Sequence, residues 1–424
     1  MSPAVTDQGA CRVSFRPCPS SSQLGSIWRE LEQRAAGGSL FLSWAWIGPW
    51  LDLFGSRAEL AEIWRGECRV GLAILGRRDS RCGRAPTLHL HESGDPATES
   101  IMIEYNGVLA AAGQEAEVIA ALLAALAGGA VAWRTLSLSG VTAASWSEGC
   151  RSLGLGGRLL RHPQPAPFAD LTTADDPLQW VSRNTRQQIQ RSIRYFEAGG
   201  PLSLTRAAGT AEALLWFADL ERLHTAVWQG RGQAGAFAPP GFGLFHRRLI
   251  AEQFEPGRVD LLRLCRGETV LGYLYGLRSP TGLDAYLSGF VYQAEARWRP
   301  GLVAHLLAMR RYRAEGVTTY RFLAGAARYK TSLSTGSDQL CWLVVYRRTL
   351  LNFPDRLARC VLRLVQRFYV RQRGKDREDS LSAPHRLQGW SGRSYRGDDR
   401  GDAPSGPSGP GGGSTAVGGG ALRP

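Results

Sequence analysis

Residues 297–330 read RWRPGLVAHLLAMRRYRAEGVTTYRFLAGAARYK, and this stretch decides our prediction of the fold. A basic Pro-Gly turn leads into apolar residues at helical spacing, a glycine ends the helix, and TTYRFLAG predicts a strand. A turn of this kind directs successive backbone N–H groups and the positive end of a helix dipole to one place. It therefore suits the pyrophosphate of a nucleotide-derived carrier such as coenzyme A.

Lysine is rare in this chain. All but two of the 51 basic residues are arginine, and the two lysines are Lys330 and Lys375. A compact ammonium differs from a planar guanidinium in hydration and in hydrogen-bond geometry. Lys330 is therefore a candidate for contact with phosphate or acceptor, and the competing interpretation is an ordinary salt bridge at a strand end.

Length and composition predict a globular protein with two domains. The chain has 424 residues, 44% of them hydrophobic, and 13 tryptophans, which is enough for two full cores. Its eight cysteines contain no C-x-x-C pair, which favours reduced thiols over a disulfide frame or a zinc site. With no signal-peptide pattern at the N-terminus and no run of about 18 apolar residues, we expect a cytoplasmic protein that needs no metal.

The order of the predicted elements favours an α+β fold. Helical and strand patterns alternate over residues 1–165, and the proline-rich HPQPAPFADL at residues 162–171 predicts a linker. A second domain, residues 166–348, begins with a helix from Asp175, Asp176 and Pro177 to the Gly199–Gly200 pair. Two more helices, an antiparallel meander and the stretch quoted above follow.

The end of the sequence differs in composition. Residues 349–375 predict a basic amphipathic helix, and residues 341–375 contain nine basic residues against one acid in a chain of net charge +14. Such a helix could contact an anionic membrane surface or simply face solvent. Residues 376–424 are rich in Gly, Pro and Ser and predict a disordered tail.

Four ordered patches carry a family resemblance. They are HTAVWQGRGQAGAF (residues 224–237), FHRRLI (245–250), RPGLV (299–303) and FLAGAARYK (322–330). Together they resemble the GNAT family N-acetyltransferases of the bacterial CelD type, which have a BioF-like/CelD-like acetyltransferase domain and are distantly FemAB-like. The resemblance implies two GNAT-like lobes, each a mixed, mainly antiparallel sheet with flanking helices.

The resemblance also implies an activity. Such enzymes move an acyl group, usually acetyl from acetyl-CoA, to an amine or hydroxyl, here of a cell-envelope or exopolysaccharide sugar or a related metabolite. The diverging strand pair would be GLDAYLSGFV and TTYRFLAG. The implied site residues are Arg297, Arg299, Gly301 and Leu302 for the acyl-CoA pyrophosphate, and His224, Tyr329 and Lys330 for catalysis, with no metal.

The sequence departs from the family where relatives have acidic residues near the last strand. The corresponding positions here are Arg321, Ala326 and Ala327. The general base then lies elsewhere, with His224, Glu221, Tyr292 and Tyr329 as candidates, or the acceptor amine loses its proton to solvent, or activity has been lost. A lone helical histidine such as His224 also commonly packs or caps.

Two alternative functions stay open at this point. One is a FemAB-like transferase that uses aminoacyl-tRNA, and the other is an inactive binding protein of a polysaccharide-synthesis complex. Nucleic-acid binding depends on basic surface, and the excess charge here lies in the peripheral helix, so we rank nucleic acid below coenzyme A. The expected location is the cytoplasm. The alternative is a peripheral position at the inner face of the membrane, with residues 349–375 in contact with the lipids.

Overall fold

The computed structural model describes residues 10–346, apart from residue 37, residues 80–84, residues 96–98 and residue 100. Its strands form a single mixed sheet. The strands are β1 (Arg12–Pro17), β2 (Ala58–Arg65), β3 (Cys68–Arg78), β4 (Thr87–Leu90), β5 (Leu109–Ala110), β6 (Thr135–Thr142), β7 (Gly156–Asp170), β8 (Leu202–Arg206), β9 (Val259–Arg266), β10 (Thr269–Arg278), β11 (Gly282–Phe290), β12 (Thr319–Arg321) and β13 (Gly336–Tyr346). The helices are α1 (Ser21–Arg34), α2 (Trp44–Phe54), α3 (Glu115–Gly128), α4 (Ala143–Ser152), α5 (Arg183–Glu197), α6 (Thr210–Gln229), α7 (Pro240–Gln253), α8 (Pro300–Ala314) and α9 (Arg328–Leu333).

The order of strands in the sheet reads as two matching halves. It is β1-β2-β3-β4-β6-β13-β7-β12-β11-β10-β9-β8, with β5 paired to β3. On each side an antiparallel series ends in a short parallel pair, β4 with β6 and β11 with β12. A helix precedes the second strand of each parallel pair, α3 in the N-terminal lobe and α8 in the C-terminal lobe. The predicted α+β fold with two such lobes is confirmed.

The two lobes exchange their last strands. β7 follows the N-terminal lobe in sequence but pairs with β12, and β13 follows the C-terminal lobe but pairs with β6. β7 and β13 also pair with each other. Each lobe therefore completes its sheet with a strand from the other half of the chain.

The proline-rich segment at residues 162–171 is not a linker, and this prediction was wrong. Its residues up to Asp170 belong to β7, so the boundary predicted at residue 165 falls inside a central strand. The carbonyl groups of Pro165 and Pro167 accept hydrogen bonds from the N–H groups of Gly325 and Phe322, at 2.8 and 2.9 Å. In a strand, the backbone nitrogens of alternate residues face the same side. The prolines of β7, which have no N–H to donate, therefore all face an irregular segment that does not require a regular series of strand hydrogen bonds.

Two other predicted elements are shorter than expected. Asp176 accepts a hydrogen bond from the Leu178 N–H, but it caps only a 3₁₀ turn at Pro177–Gln179. The helix α5 begins separately after Ser182, whose hydroxyl accepts from the Thr185 N–H. Likewise the strand predicted as TTYRFLAG is ordered as β12 over three residues, and Lys330 lies in a helix instead of at a strand end.

One hydrophobic core joins the lobes. Trp46 and Phe41 of the N-terminal lobe pack in it against Phe245 and Tyr286 of the C-terminal lobe, all nearly or fully buried. The Trp46 ring lies 4.7 Å from that of Phe245. Removing a buried aromatic side chain of this kind costs about 3–5 kcal/mol. The shared core therefore holds the lobes in a fixed arrangement.

The predicted basic helix of residues 349–375 and the tail of residues 376–424 lie outside the described residues. Of the helices that the structure describes, none has the length and apolarity to cross a bilayer.

Candidate functional site

The central feature of the C-terminal lobe is a gap between β11 and β12. The two strands pair in parallel for three residues, with Asp284 opposite Arg321 as the last pair, and then separate. The register of β11 against β10 shifts at this point, so that Tyr286 is an extra residue in β11. Such a bulge bends the strand and redirects a side chain. The pair that we predicted to splay therefore does so, and the end of β11 has one open edge.

Backbone groups point into the gap. The N–H of Val291 donates to Leu271 on the β10 side at 2.9 Å. Because alternate residues of a strand direct their polar groups to opposite sides, the N–H groups of Ser288 and Phe290 lie on the open side. A fixed N–H in this position can stabilise the negative oxygen that develops on an attacked acyl carbon.

The predicted pyrophosphate turn lies beside this open edge. Helix α8 begins at Pro300 with Arg299 as its N-cap residue and has no acidic side chain in its first turn. The buried Trp298 anchors the turn, since its indole N–H donates to the Val291 carbonyl at 2.6 Å. A Cβ atom added to Gly301 would lie 3.4 Å from the Phe290 ring. The first N–H groups of α8 are therefore next to the end of β11.

The two arginines of the turn differ. Arg297 pairs with Glu295 at 3.2 Å, and its guanidinium lies 4.6 Å from the Tyr195 ring centroid. The Arg299 side chain is exposed and makes no hydrogen bond or ion pair with any residue in the described part of the chain, while its carbonyl accepts from the Val303 N–H at 3.3 Å. Leu302 packs against the core formed by α5, α8 and the C-terminal sheet. Arg299 is thus the side chain best placed to meet an incoming anion.

His224 reaches the gap from α6. Its Nδ1 lies 3.3 Å from the Ser288 carbonyl, and its Nε2 accepts from the Ala236 N–H at 3.5 Å. Burial lowers the pKa of His224, so the neutral imidazole with its proton on Nδ1 satisfies both contacts. In this arrangement His224 holds the open edge of β11.

Lys330 braces the turn that follows β12. Its ammonium donates to the carbonyl groups of Leu323 and Ala324, at 3.2 and 2.8 Å. Leu323 adopts a positive φ of 61°, a conformation that a branched side chain rarely takes and that often marks functional turns. Burial lowers the pKa of Lys330, while the charge of Glu104 opposes that shift.

Tyr329, the neighbour of Lys330, is part of an aromatic stack. Its ring lies 5.2 Å from that of His305, nearly parallel to it. His305 is buried in α8 and its Nδ1 is 2.8 Å from the Tyr320 hydroxyl of β12. Burial raises the pKa of Tyr329 to about 12. The stack connects α9, α8 and β12. His224 contacts β11, and Tyr329 and Lys330 contact the elements around β12, so each of the three predicted catalytic residues has a packing or hydrogen-bond contact within the protein.

Glu104 is a site residue that the sequence did not reveal. It belongs to the N-terminal lobe, yet its Oε2 accepts a hydrogen bond from the Ala324 N–H at 2.6 Å. Burial first, and then the charges of Tyr275 and Glu104, raise the pKa of Tyr286 well above its ordinary value. Glu104 therefore contacts the turn after β12 and is close enough to Tyr286 in the β11 bulge to influence its pKa. Only the pairing of the lobes brings it there, because 220 residues separate it from Ala324.

A cavity of about 640 Å³ opens at Glu104. Ala324 and Gly325 form one wall, and residues of β4, β6, β7 and β13 form another. The described ionisable residues that line it are Arg78, His89, Glu92, Asp95, Glu99 and Glu104. Burial lowers the pKa of His89 to about 4, so this histidine is neutral near pH 7. The cavity walls are therefore predominantly acidic.

The predicted domain matches a known family at this site. Residues 183–331 match the family model described as Acetyltransferase (GNAT) domain. This part of the chain is similar to GNAT acetyltransferase domains. The matched region, which we call the GNAT domain, contains the gap, the turn before α8, and the residues His224, Tyr329 and Lys330. No curated protein matches the chain.

Solved structures are similar to this chain over more than the GNAT domain. FemX is 11% identical, with 78% of this chain and 97% of FemX covered and a TM-score of 0.53. A tandem GNAT protein from the clavulanic acid biosynthesis pathway is 14% identical, with 79% and 98% covered and a TM-score of 0.43. L-PGS from Bacillus licheniformis is 12% identical, with 81% and 96% covered and a TM-score of 0.43. The likeness to FemX shows that the two-lobed fold extends across the GNAT domain and the lobe before it.

Proposed function

We propose that this chain is an acyltransferase that takes an acyl group from acyl-CoA and transfers it to an amine or hydroxyl group of an acceptor. The observation that carries the proposal is the first turn of α8, which is free of acidic residues, follows the N-cap residue Arg299 and lies against the open edge of β11. Helix N-termini of this kind bind phosphate groups through their N–H groups and dipole.

The geometry supports a specific course for the reaction. The pyrophosphate of coenzyme A would bind at α8 and Arg299, and its thioester arm would follow the open edge of β11. The N–H of Ser288 or Phe290 would then receive the thioester oxygen as negative charge develops. Holding donor and acceptor in one gap contributes by proximity, since the reaction becomes effectively unimolecular.

The acceptor would enter from the cavity at Glu104, opposite the donor. A cell-envelope or exopolysaccharide sugar, as in CelD-type proteins, remains our proposal for its class. A cavity of about 640 Å³ is large enough for a sugar-sized molecule.

Calorimetric titration with coenzyme A and acetyl-CoA tests the donor. Arg299→Glu should weaken binding at least about tenfold, because it replaces a cation with an anion at the phosphate position. Arg222→Glu is the matched control, since Arg222 is an exposed arginine of α6 that pairs with Asp219 at 3.2 Å. Coenzyme A that fails to bind the unmodified protein, or binds the Arg299 variant equally well, would refute the proposal.

The same titration, repeated with tRNA and combined with a thiol-release assay, separates the two alternatives. Saturable binding of tRNA without binding of coenzyme A would favour the aminoacyl-tRNA-dependent transferase. Binding of coenzyme A together with no acceptor-dependent thiol release would favour an inactive binding protein.

A further inference from the structure

The exposed face of α5 carries arginines without partners. Arg183, Gln187, Gln190, Arg191 and Arg194 recur three or four positions apart, and all five are exposed. Residues at this spacing lie along one side of a helix, and we call this set the α5 stripe. The side chains of its three arginines make no hydrogen bond or ion pair with any residue that the structure describes. At a rise of 1.5 Å per residue, the α5 stripe presents these charges over about 17 Å of helix.

The neighbouring helix α8 holds its arginines differently. Each arginine near its C-terminal end pairs with an acid: Arg310 with Asp176, Arg311 with Glu315 and Arg313 with Asp175. In α5 the only acid is Glu197, at the last position of the helix. Like charges three or four positions apart, such as Arg191 and Arg194, repel each other and destabilise a helix. An anionic partner that covers the α5 stripe would remove this repulsion.

The α5 stripe ends beside the proposed donor site. Tyr195 follows Arg194, and its ring centroid lies 4.6 Å from the Arg297 guanidinium and 6.2 Å from the Trp298 ring. The next residue is Arg299, whose exposed side chain is also without a hydrogen bond or ion pair among the described residues. The α5 stripe therefore leads along the surface to the first turn of α8, where the proposed function places the phosphate of the donor.

The position of the α5 stripe indicates which anionic partner fits. The partner must present negative charge along α5 and place a phosphorylated thioester arm at α8. An acidic, helical acyl carrier protein does both, because its acyl group is a thioester on phosphopantetheine, the arm that it shares with coenzyme A. A membrane fits less well, since the α5 stripe has no apolar side chain to enter the lipid. Nucleic acid matches the charge but brings no thioester.

We infer that the α5 stripe is the docking surface for an acidic acyl carrier protein, which serves as a second acyl donor at the gap. This inference rests on the proposed function, because it uses the same donor turn and the same gap. The acceptor nitrogen or oxygen attacks the thioester carbon, the C–S bond breaks, and the sulfur takes up the proton that the acceptor loses. The products are the acylated acceptor and a carrier protein with a free thiol.

Binding of the carrier protein gives the first test. The probe is the acidic acyl carrier protein of bacterial fatty acid synthesis, in its holo form with the arm and in its apo form without it. Fluorescence anisotropy of the labelled holo form should show saturable binding to the full chain, and this binding should weaken as salt is added. Excess coenzyme A should weaken binding of the holo form toward that of the apo form, because the two arms compete for one gap.

No saturable binding of the holo form would overturn the inference. So would holo binding that excess coenzyme A leaves unchanged, in protein that itself binds coenzyme A. Carrier binding by protein that does not bind coenzyme A would instead refute the proposed function and leave the docking surface in place.

Charge reversal on α5 gives the second test. Arg183→Glu combined with Arg191→Glu should weaken binding of the holo carrier at least about tenfold, because two cations that face an acidic surface become anions. Arg194, the arginine of the α5 stripe nearest the donor turn, stays in place, so coenzyme A affinity should not change. Arg151→Glu combined with Arg222→Glu is the control, with the same change of charge at exposed arginines of α4 and α6.

All four of these side chains are exposed, so both double variants should fold normally, which circular dichroism checks. Equal loss of carrier binding in the two double variants, or no loss in either, would overturn the inference. Binding of tRNA or of anionic vesicles that depends on the α5 stripe, in protein that does not bind the carrier, would also overturn it.

Discussion

The two lobes share one arrangement of elements but differ at the equivalent gap. In the N-terminal lobe the parallel pair of β4 and β6 also lasts for three residues. Asn106 occupies the space beyond it, forming a bridge to Val141, donating to the Leu90 carbonyl and contacting His91 Nδ1, the latter two both at 3.0 Å. In the C-terminal lobe the corresponding edge of β11 is met by the side chain of His224. One gap is closed by the protein's own backbone and amide, and the other leaves strand N–H groups for a substrate.

The helices beside the gaps differ in charge. The first turn of α3 carries Glu115 and Glu117, whereas that of α8 has no acid and is preceded by Arg299. Carboxylates at a helix N-terminus stabilise the helix, but they repel phosphate. The same backbone therefore suits an anionic carrier only in the C-terminal lobe. Instead, Glu104 of the N-terminal lobe accepts a hydrogen bond from the Ala324 N–H of the C-terminal lobe.

The largest effect should come from the strand that joins the lobes. Val345 of β13 is fully buried in the core of the N-terminal lobe, although it follows the C-terminal lobe in sequence. Val345→Asp buries an unpaired carboxylate and should lower the free energy of unfolding by more than about 4 kcal/mol. Urea unfolding followed by circular dichroism and tryptophan fluorescence should show both lobes lost in one transition.

Leu215→Asp is the control for this substitution, because Leu215 is 69% exposed on α6. It should change the free energy of unfolding by less than about 0.5 kcal/mol. Two separate transitions in the Val345 variant, with the C-terminal lobe unaffected, would show that the lobes are independent.

The last residue pairs of the two parallel ladders should have opposite effects on how the free energy of unfolding depends on pH. It is Asp284 with Arg321 in the C-terminal lobe and His89 with Ser137 in the N-terminal lobe. Burial raises the pKa of Asp284 to about 6, with the nearby Arg321 opposing the shift. The folded state then keeps a proton that the unfolded state releases, so this stabilisation is present at about pH 4 and is lost as the pH rises through 6.

Asp284→Asn should remove that loss. Between about pH 4 and pH 8 its free energy of unfolding should rise relative to the unmodified protein by up to about 3 kcal/mol. Burial lowers the pKa of His89 to about 4, so between about pH 4 and 6.5 the unfolded state binds a proton that the folded state does not. The free energy of unfolding of His89→Asn should therefore fall relative to the unmodified protein as the pH rises from about 4 to 8. Urea unfolding across this pH range measures both. If the free energies of unfolding of the two variants changed with pH in the same direction, the two ladder ends would not differ in the way expected.

Asn106→Ala should test the closed gap. It leaves the Leu90 carbonyl and the His91 ring without their partner, at a cost of about 2 kcal/mol in the free energy of unfolding. Coenzyme A affinity should not change, because the proposed donor site lies in the other lobe. Thermal unfolding and calorimetric titration provide the two measurements, and the exposed Asn184→Ala serves as control. Weaker coenzyme A binding without loss of stability would indicate that the donor binds at the gap of the N-terminal lobe, contrary to the proposal.

Gly301→Asp should give the smallest of these free-energy changes, and it should affect coenzyme A binding without affecting stability. It gives α8 an acid in its first turn, as α3 has, and should weaken coenzyme A binding about tenfold, or about 1.4 kcal/mol. Stability should not fall, because an aspartate at this end of a helix interacts favourably with the dipole. Glu115→Gln in α3 should leave the affinity unchanged. An equal loss of affinity in both variants would remove the distinction between the lobes.

Local patterns in the sequence predicted much of the fold. Apolar periodicity identified α1, α2, α3, α6, α7 and α8, and turn residues identified the β9–β11 meander. The strands β1, β5, β8 and β13 and the helix α4 were not predicted, since they are short or depend on distant partners. Three prolines in β7 imitated a linker because their unusual hydrogen bonding is visible only with residues 322–325 in place.

The candidate site was predictable in its local part only. The turn at residues 297–302 follows from one continuous stretch, and the diverging strands follow from the family resemblance. The structure has the turn and the strand pair at these positions. Lys330 was assigned to a strand end because its helix is only six residues long. Glu104 has no recognisable local motif, and its contact with Ala324 depends on how the lobes pack.

The exchange of β7 and β13 has a consequence for synthesis on the ribosome. After β6 is made, about 190 residues must be translated before β13 begins. At about 5–20 residues per second this takes roughly 10–40 s. During that interval the edge of β6 that β13 will cover lacks its native partner, and an unpaired strand edge invites association with other chains. Nascent molecules of this protein should therefore depend on chaperones until residue 346 has left the exit tunnel.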